Sequence, residues 1–400
     1  FRVYKIDESI NGKADVPFLE SVFQKLLLNF TWWVNRKDKH GKNVFGGGFL
    51  GLDNIGAFDR NMEFKNGDHL EQADGTSWMA MFALNMMRIS MELALYNPIY
   101  EDMAIKFFEH YLYIAEAMEN IGGTQNGLWN EEDGFFYDLL QLNNGDSKSL
   151  KLRSIVGLIP LFAVEIVEHD LLEKLPNFQA RMEWILKNKP QLAGLVSHWE
   201  VEGKGGKHLM SILRKTRLKR VLSRMVDEKE FLSDYGIRSM SKIYEENPFE
   251  FNIDGLNLKV QYKPAESDSS MFGGNSNWRG PIWFPINFLI VESLQRFHYY
   301  YGENIQIEYP ANSNEIRNLD YVANDLSKRL YSIFTKDENG NRAFNGGNNL
   351  LNHNEFFKNY IMFHEYFNGD TGEGIGASHQ TGWTATIAKL IQPRMGSRPR

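Results

Sequence analysis

The sequence predicts an all-α protein: a closed ring of helical hairpins, an (α/α) barrel, with its site at one rim. Three observations carry this expectation. Apolar residues recur every three or four positions along much of the chain. Several of these segments are apolar around most of their circumference, which marks helices buried among other helices. The segments between them are long and rich in Gly, Asn, Asp and Trp, and such loops carry function on a rigid scaffold.

The first helical pattern runs over 17–36. It encloses Asn29-Phe30-Thr31, a glycosylation sequon that a helix leaves unused. The second, over 77–96, is apolar nearly all round from Trp78 to Leu95. The third has clear ends. Asn97 serves as N-cap and Pro98 as first helical residue, and Ile99, Met103, Phe107, Tyr111, Ile114, Met118 and Ile121 then recur before the Gly122-Gly123 stop. Similar patterns cover 155–171, 177–188, 283–300, 319–335 and 380–392. Period-two alternation is weak and limited to 257–262 and 305–309. No Pro/Gly/Ser-rich linker divides the chain, so residues 1–400 read as a single domain, itself a C-terminal portion of something longer if segments precede Phe1.

Composition excludes several classes of function. The net charge of −7 argues against a nucleic-acid binder, and no run of eighteen apolar residues exists to span a membrane. With no cysteine, thiolate nucleophiles and Cys-ligated metals are impossible within the chain. The missing cysteines and the lack of a leader pattern point to a cytoplasmic protein. The 28 Phe, 17 Tyr and 9 Trp exceed ordinary usage; most must be core, and some can line a sugar cleft.

Five constellations hold candidate chemistry. In Phe45 to Arg60, a glycine run precedes Asp53. Either Asp53 is a general acid whose pKa is raised by its apolar setting, or it caps a helix; Phe49, Asp59 and Arg60 in the same stretch are candidate substrate contacts. In Glu71 to Trp78, Asp74 and Thr76 suit helix capping, while Asp74 and Trp78 are also candidates for contact with substrate at a cleft wall. In Trp129 to Asp138, four acids in eight residues suit a solvated turn better than a calcium loop. In Gly273 to Trp283, Trp278 and Trp283 flank Arg279, which suits gripping a hydroxylated ligand; Pro281 reads as the start of the following helix. In His364 to Trp383, Glu365 sits among aromatics and is followed by glycines, His379 and Trp383; Glu365 is the second carboxylate to pair with Asp53. No metal site is expected, because His364 and His379 lack a His-Glu-x-x-His frame. The basic stretch 204–220 reads as a solvated face or a lid.

Together the motifs resemble glycoside hydrolase family 63 and its relatives, the trehalases and mannosylglycerate hydrolases. The resemblance rests on Gly51-Leu-Asp53-Asn54, Gln72-Ala-Asp74-Gly-Thr-Ser-Trp78, Asn277-Trp278-Arg279-Gly280-Pro281, Glu365-Tyr366 and Gly376-Ala-Ser-His379-Gln-Thr-Gly-Trp383, spread from about 40 to 390. It implies an (α/α)6 barrel that hydrolyses α-glucosidic or α-mannosidic bonds with inversion and without a cofactor. It implies Asp53 as general acid and Glu365 as general base, with Trp278, Arg279 and Trp383 against the sugar. Such a pair needs roughly 6.5–9.5 Å between its carboxyls. The chain departs from the trehalase signature at Leu52, where that signature has Trp, and the N-terminal β-sandwich of many members is not among residues 1–400 and would lie before Phe1. A non-catalytic carbohydrate-binding barrel and a sugar epimerase are the alternatives.

Overall fold

The structure is a computed structural model that describes residues 1–35, 41, 43–46, 51–52, 54–64, 66–121, 127–189, 192, 206–253, 255–268 and 278–391. Helices α1 (Arg2–Asn11) and α2 (Val16–Val34) open it. The Asp15 carboxylate caps α2 by accepting from the Phe18 N–H at 3.1 Å, with Pro17 in the first turn. Helix α2 then lies against α3 (Ala73–Ala94) and α4 (Ile99–Glu119). Phe30 sets its ring edge-on to Phe82 at 5.2 Å and to Phe107 at 5.0 Å. Each such ring pair adds about 0.5–1.5 kcal/mol beyond simple burial. Helix α3 is covered on nearly all sides, as its uniformly apolar sequence predicts. Pro98, not Asn97, is the N-cap of α4, and the Asn97 carboxamide accepts from the Ile99 N–H at 3.2 Å from one residue further out.

Two short helices, α5 (His169–Leu172) and α6 (Pro176–Asn188), precede the basic helix α7 (Lys215–Met225). The second half is built on α8 (Phe284–Tyr301) packed against α9 (Leu319–Ser332), followed by α10 (Asn349–His353), α11 (Thr381–Thr384) and α12 (Ile387–Ile391). The fold is helix-rich, and no described helix is long and apolar enough to cross a membrane.

It is not all-α. A three-stranded antiparallel sheet joins β1 (His69–Glu71), β2 (Asp138–Gln141) and β3 (Ser147–Leu150), and two-stranded ribbons recur between helices. The helix expected over 155–171 is replaced by two 3-10 turns, Ile155–Gly157 and Ile159–Phe162, and a strand, Val164–Glu168, paired with Lys207–Ser211. Pro160 stops a helix there, and the β-branched run that follows packs well as a buried strand; periodicity alone does not separate the two for a short apolar run. The helix expected over 380–392 is broken into α11 and α12, where the Thr386 hydroxyl bonds the Trp383 carbonyl at 2.9 Å.

Two segments that looked unrelated in sequence meet. Residues 131–133 form a turn between strands Trp129–Asn130 and Phe135–Phe136, as expected, and α7 lies over it. Arg220 pairs with Glu131 at 2.6 Å, and the Arg224 Nε donates to the Asp133 carbonyl at 2.8 Å. Arg217 pairs with Glu119, its guanidinium 4.9 Å from the Trp129 ring. From Lys207 onward the basic stretch is thus a strand and a helix tied to acidic neighbours.

Candidate active site

The site is assembled from the loop leading into α8, the segment from α10 into α11, and the loop that precedes β1. Ile282 and Phe367 exchange two backbone hydrogen bonds, at 2.8 and 3.0 Å. This pairing sets their chain neighbours, Trp283 and Tyr366, face to face at 4.8 Å and 29°. Trp278 stacks on the other side of Trp283 at 4.0 Å and 14°, and Trp383 meets Trp283 edge-on at 6.0 Å. Four rings from three separated segments form one wall. Trp278 and Trp283 are buried in it, while Trp383 is half-exposed. Helix α8 begins at Phe284 with Pro285 in its first turn, not at Pro281, because Pro281 and Ile282 are engaged in backbone pairing with Ser239 and Phe367.

Gly280 is required in this loop: a Cβ there would lie 2.5 Å from the Lys263 carbonyl.

The wall reaches back to the N-terminal loop. The Trp278 indole N–H donates to the Gly51 carbonyl at 3.0 Å. The Arg279 guanidinium donates to the carbonyls of Ile55 at 3.1 Å and Gly56 at 3.2 Å. Arg60 donates to the Leu52 carbonyl at 3.1 Å. Three side chains therefore hold four carbonyls on the two sides of position 53. Asp53 and Phe49 themselves lie outside the described residues. Burial lowers the Arg279 pKa to about 10, with Asp268 pulling the other way, so the guanidinium stays charged at neutral pH.

Arg60 is buried and faces inward. Its Nε donates to Asp138 at 2.8 Å and its Nη1 to Asp74 at 3.2 Å, and Asp138 also accepts from the Ala73 N–H at 2.9 Å. Burial disfavours the Arg60 charge, but the two carboxylates outweigh it and its pKa is raised. Burial likewise raises Asp138. Asp74 does not cap α3; Gln72 occupies that position, and Asp74 is turned onto Arg60. The Thr76 hydroxyl bonds the Gln72 carbonyl at 2.7 Å. Asp138 had been grouped with the solvated acids of its turn. Its signal was its place in a strand among Tyr137, Leu139 and Leu140, where a carboxylate needs a buried cation.

Glu365 is half-buried. Its backbone N–H donates to the Ala377 carbonyl at 2.9 Å, and its Oε2 accepts from the Ala377 N–H at 3.3 Å. Gly376 has φ +70°, and a Cβ there would lie 2.8 Å from Oε2, so glycine keeps both the turn and the carboxylate in place. His364 packs against Phe344 and Phe367, with neither ring nitrogen hydrogen-bonded among the described residues. Burial first, then the nearby His379, lowers its pKa. His379 is exposed, its backbone bridged to Phe363. Trp78 lies half-buried on α3, apart from the ring stack, and Asp59 accepts from the Asn61 N–H at 2.8 Å in a local turn. Among the described residues no cluster of His, Asp and Glu is placed to hold a metal ion.

Residues 207–393 match the model of the glycosyl hydrolase family 63 C-terminal domain, and this part of the chain is family 63-like. It is 50% identical over 406 residues to an uncharacterized protein of Saccharomyces cerevisiae, covering 98% of this chain and 37% of that one. It is 26% identical over 176 residues to the mannosyl-oligosaccharide glucosidase of the same yeast, covering 44% of this chain and 15% of the relative. The chain thus spans little more than a third of the first of these relatives. Among solved structures, a family 63 mannosylglycerate hydrolase from Thermus thermophilus is 14% identical, with a TM-score of 0.43 over 97% of this chain and 76% of that one.

Proposed function

We propose that the chain is the catalytic domain of an inverting glycoside hydrolase that cleaves α-glucosidic or α-mannosidic bonds. One observation carries this reading most: the ring stack of Trp278, Trp283 and Tyr366 runs from the strand beside Glu365 to the Gly51 carbonyl, two residues before Asp53. The two candidate carboxylates come from opposite ends of the chain, and this stack is the physical link between their segments. The family 63 match and the glucosidase relative support the reaction class. Residues 1–400 act as one domain, an (α/α)6 barrel with the site at its loop-bearing rim.

In this reading the Asp53 carboxyl donates its proton to the glycosidic oxygen as the anomeric C–O bond breaks. Glu365 takes a proton from a water that attacks the anomeric carbon from the opposite face. One water is consumed, and the reducing sugar leaves with inverted configuration. Trp383, half-exposed at the end of the stack, covers an apolar sugar face. Arg60, Arg279 and Trp278 act as positioning residues, holding the backbone that carries the acid. Asp74 serves the same purpose through Arg60.

The test is a hydrolysis screen of wild type, Asp53→Asn and Glu365→Gln against α-glucosyl and α-mannosyl disaccharides, glycerate glycosides and an oligomannose glycan. General acid and general base catalysis each contribute about 10²–10⁴-fold, so each variant loses at least that factor in kcat while keeping its melting temperature. Full activity in either variant overturns the role given to that residue.

A further inference from the structure

A second cleft, of about 780 Å³, opens beside the hairpin that follows Glu365. That volume lies within the range of about 300–1,000 Å³ typical of small-molecule sites. Its walls come from the end of α9, the loop leading into α10, the start of α10, the turn at Asp234 and Tyr235 between strands Leu232–Ser233 and Gly236–Ile237, and the hairpin tip at Thr371 and Glu373. None of Trp278, Trp283, Glu365 or Trp383 lines it.

The lining selects a ligand class. Asp234, Asp337 and Glu373 line it together with Lys336 and Arg342, three acids against two cations, so the fixed charges nearly cancel and neither a strongly charged anion nor a strongly charged cation is favoured. The remaining polar groups are hydroxyls and amides, among them Thr335, Thr371 and Asn349, which donate and accept at once. The floor is rigid. The Asn352 side chain accepts from the Arg342 N–H at 3.1 Å and from Asn345 at 2.9 Å, and donates to the Gly346 carbonyl at 3.2 Å. Asp337 ties its own loop by accepting from the Asn339 and Asn341 N–H groups at 2.9 and 2.7 Å. At Gly347 there is open space where a side chain would sit.

Exposed aromatic residues follow the cleft wall closely along the chain. Three residues beyond His353, Phe356 is 81% exposed, and Tyr360 is 66% exposed with its ring 6.3 Å from Phe357. Three residues of chain reach at most about 11 Å, so this exposed surface starts within one sugar or two of the cleft wall. Exposed rings beside a charge-balanced bed of hydroxyls and amides match the two faces of a sugar, one apolar and one hydroxylated.

We infer that this cleft is a second saccharide-binding site, taking a neutral oligosaccharide with Phe356 and Tyr360 as its stacking platform. The inference is independent of the role given to Glu365. The test is calorimetric titration of maltotetraose and of an α-linked mannotetraose into the Glu365→Gln protein, with hydroxyl-radical footprinting to locate them. The expected result is protection of Tyr235, Phe356 and Tyr360. The Gly347→Trp exchange, which fills the open floor, and the double exchange Phe356→Ala with Tyr360→Ala each weaken that binding at least tenfold. Four outcomes overturn it: no binding of either sugar, unchanged affinity in both variants, protection confined to Trp383 and its neighbours, or a self-associating protein that becomes monomeric when Phe356 and Tyr360 are removed and binds no sugar. Because binding is read without turnover, failure of the glycosidase reading leaves this test intact.

Discussion

The indole N–H of Trp278 donates to the carbonyl of Gly51 at 3.0 Å, across 227 positions of sequence. The same ring lies flat on Trp283, which lies on Tyr366, the neighbour of Glu365. A displacement of the N-terminal loop therefore has to break this bond or disturb the stack.

Trp278→Phe keeps a ring on Trp283 and removes only the donor. Losing this one hydrogen bond costs about 0.5–1.5 kcal/mol, and an error of about 1 Å in placing a catalytic group can cost 10²-fold. The expected result is a kcat lowered by one to two orders of magnitude with KM little changed. Steady-state kinetics on the substrate found in the screen reads this directly.

Arg60 is the cation between Asp74 and Asp138, and removing it leaves two buried carboxylates facing each other. Arg60→Met is expected to destabilise the fold by about 3–5 kcal/mol, read as a lower midpoint in urea. Arg60→Lys recovers only part of this, since one ammonium cannot present the planar fork that serves both carboxylates and the Leu52 carbonyl. Equal stability of all three proteins contradicts this view of the triad.

His364 gives a pH dependence whose sign follows from its burial. Its pKa lies below the ordinary 6.5 in the folded chain and returns to it on unfolding. Below pH 6.5 the unfolded chain therefore binds the extra proton, and stability falls as pH drops from 6.5 towards the folded value. Above pH 6.5 the contribution is complete. Denaturant titrations from about pH 5 to pH 8 should show this slope in wild type, and His364→Asn should reduce it.

What could be read from sequence was what repeats locally. Helices α3 and α4 follow from apolar spacing and, for α4, from Asn97 and Pro98 at the entry. Trp278 and Trp283 were read together from one loop, whereas Trp383 joined them only through the family resemblance. Long-range backbone pairing was illegible: Ile282 opposite Phe367 leaves no pattern in either segment, yet it sets Trp283 against Tyr366. Val164–Glu168 was misread because a short buried strand and a helix share one apolar signature. Arg60 and Asp74 were marked for a ligand because charged residues in Gly-rich loops usually face outward. Their burial depends on Asp138, which comes from a strand far along the chain.

The central claim is that Asp53 and Glu365 act as an acid and base pair on opposite faces of a sugar ring. Proton NMR of the first product, recorded before mutarotation, tests it most directly. The account predicts that an α-linked substrate releases the β-anomer from wild type and none from Asp53→Asn or Glu365→Gln. Release of the α-anomer first would contradict inversion, and with it the assignment of Glu365 as a base acting through water.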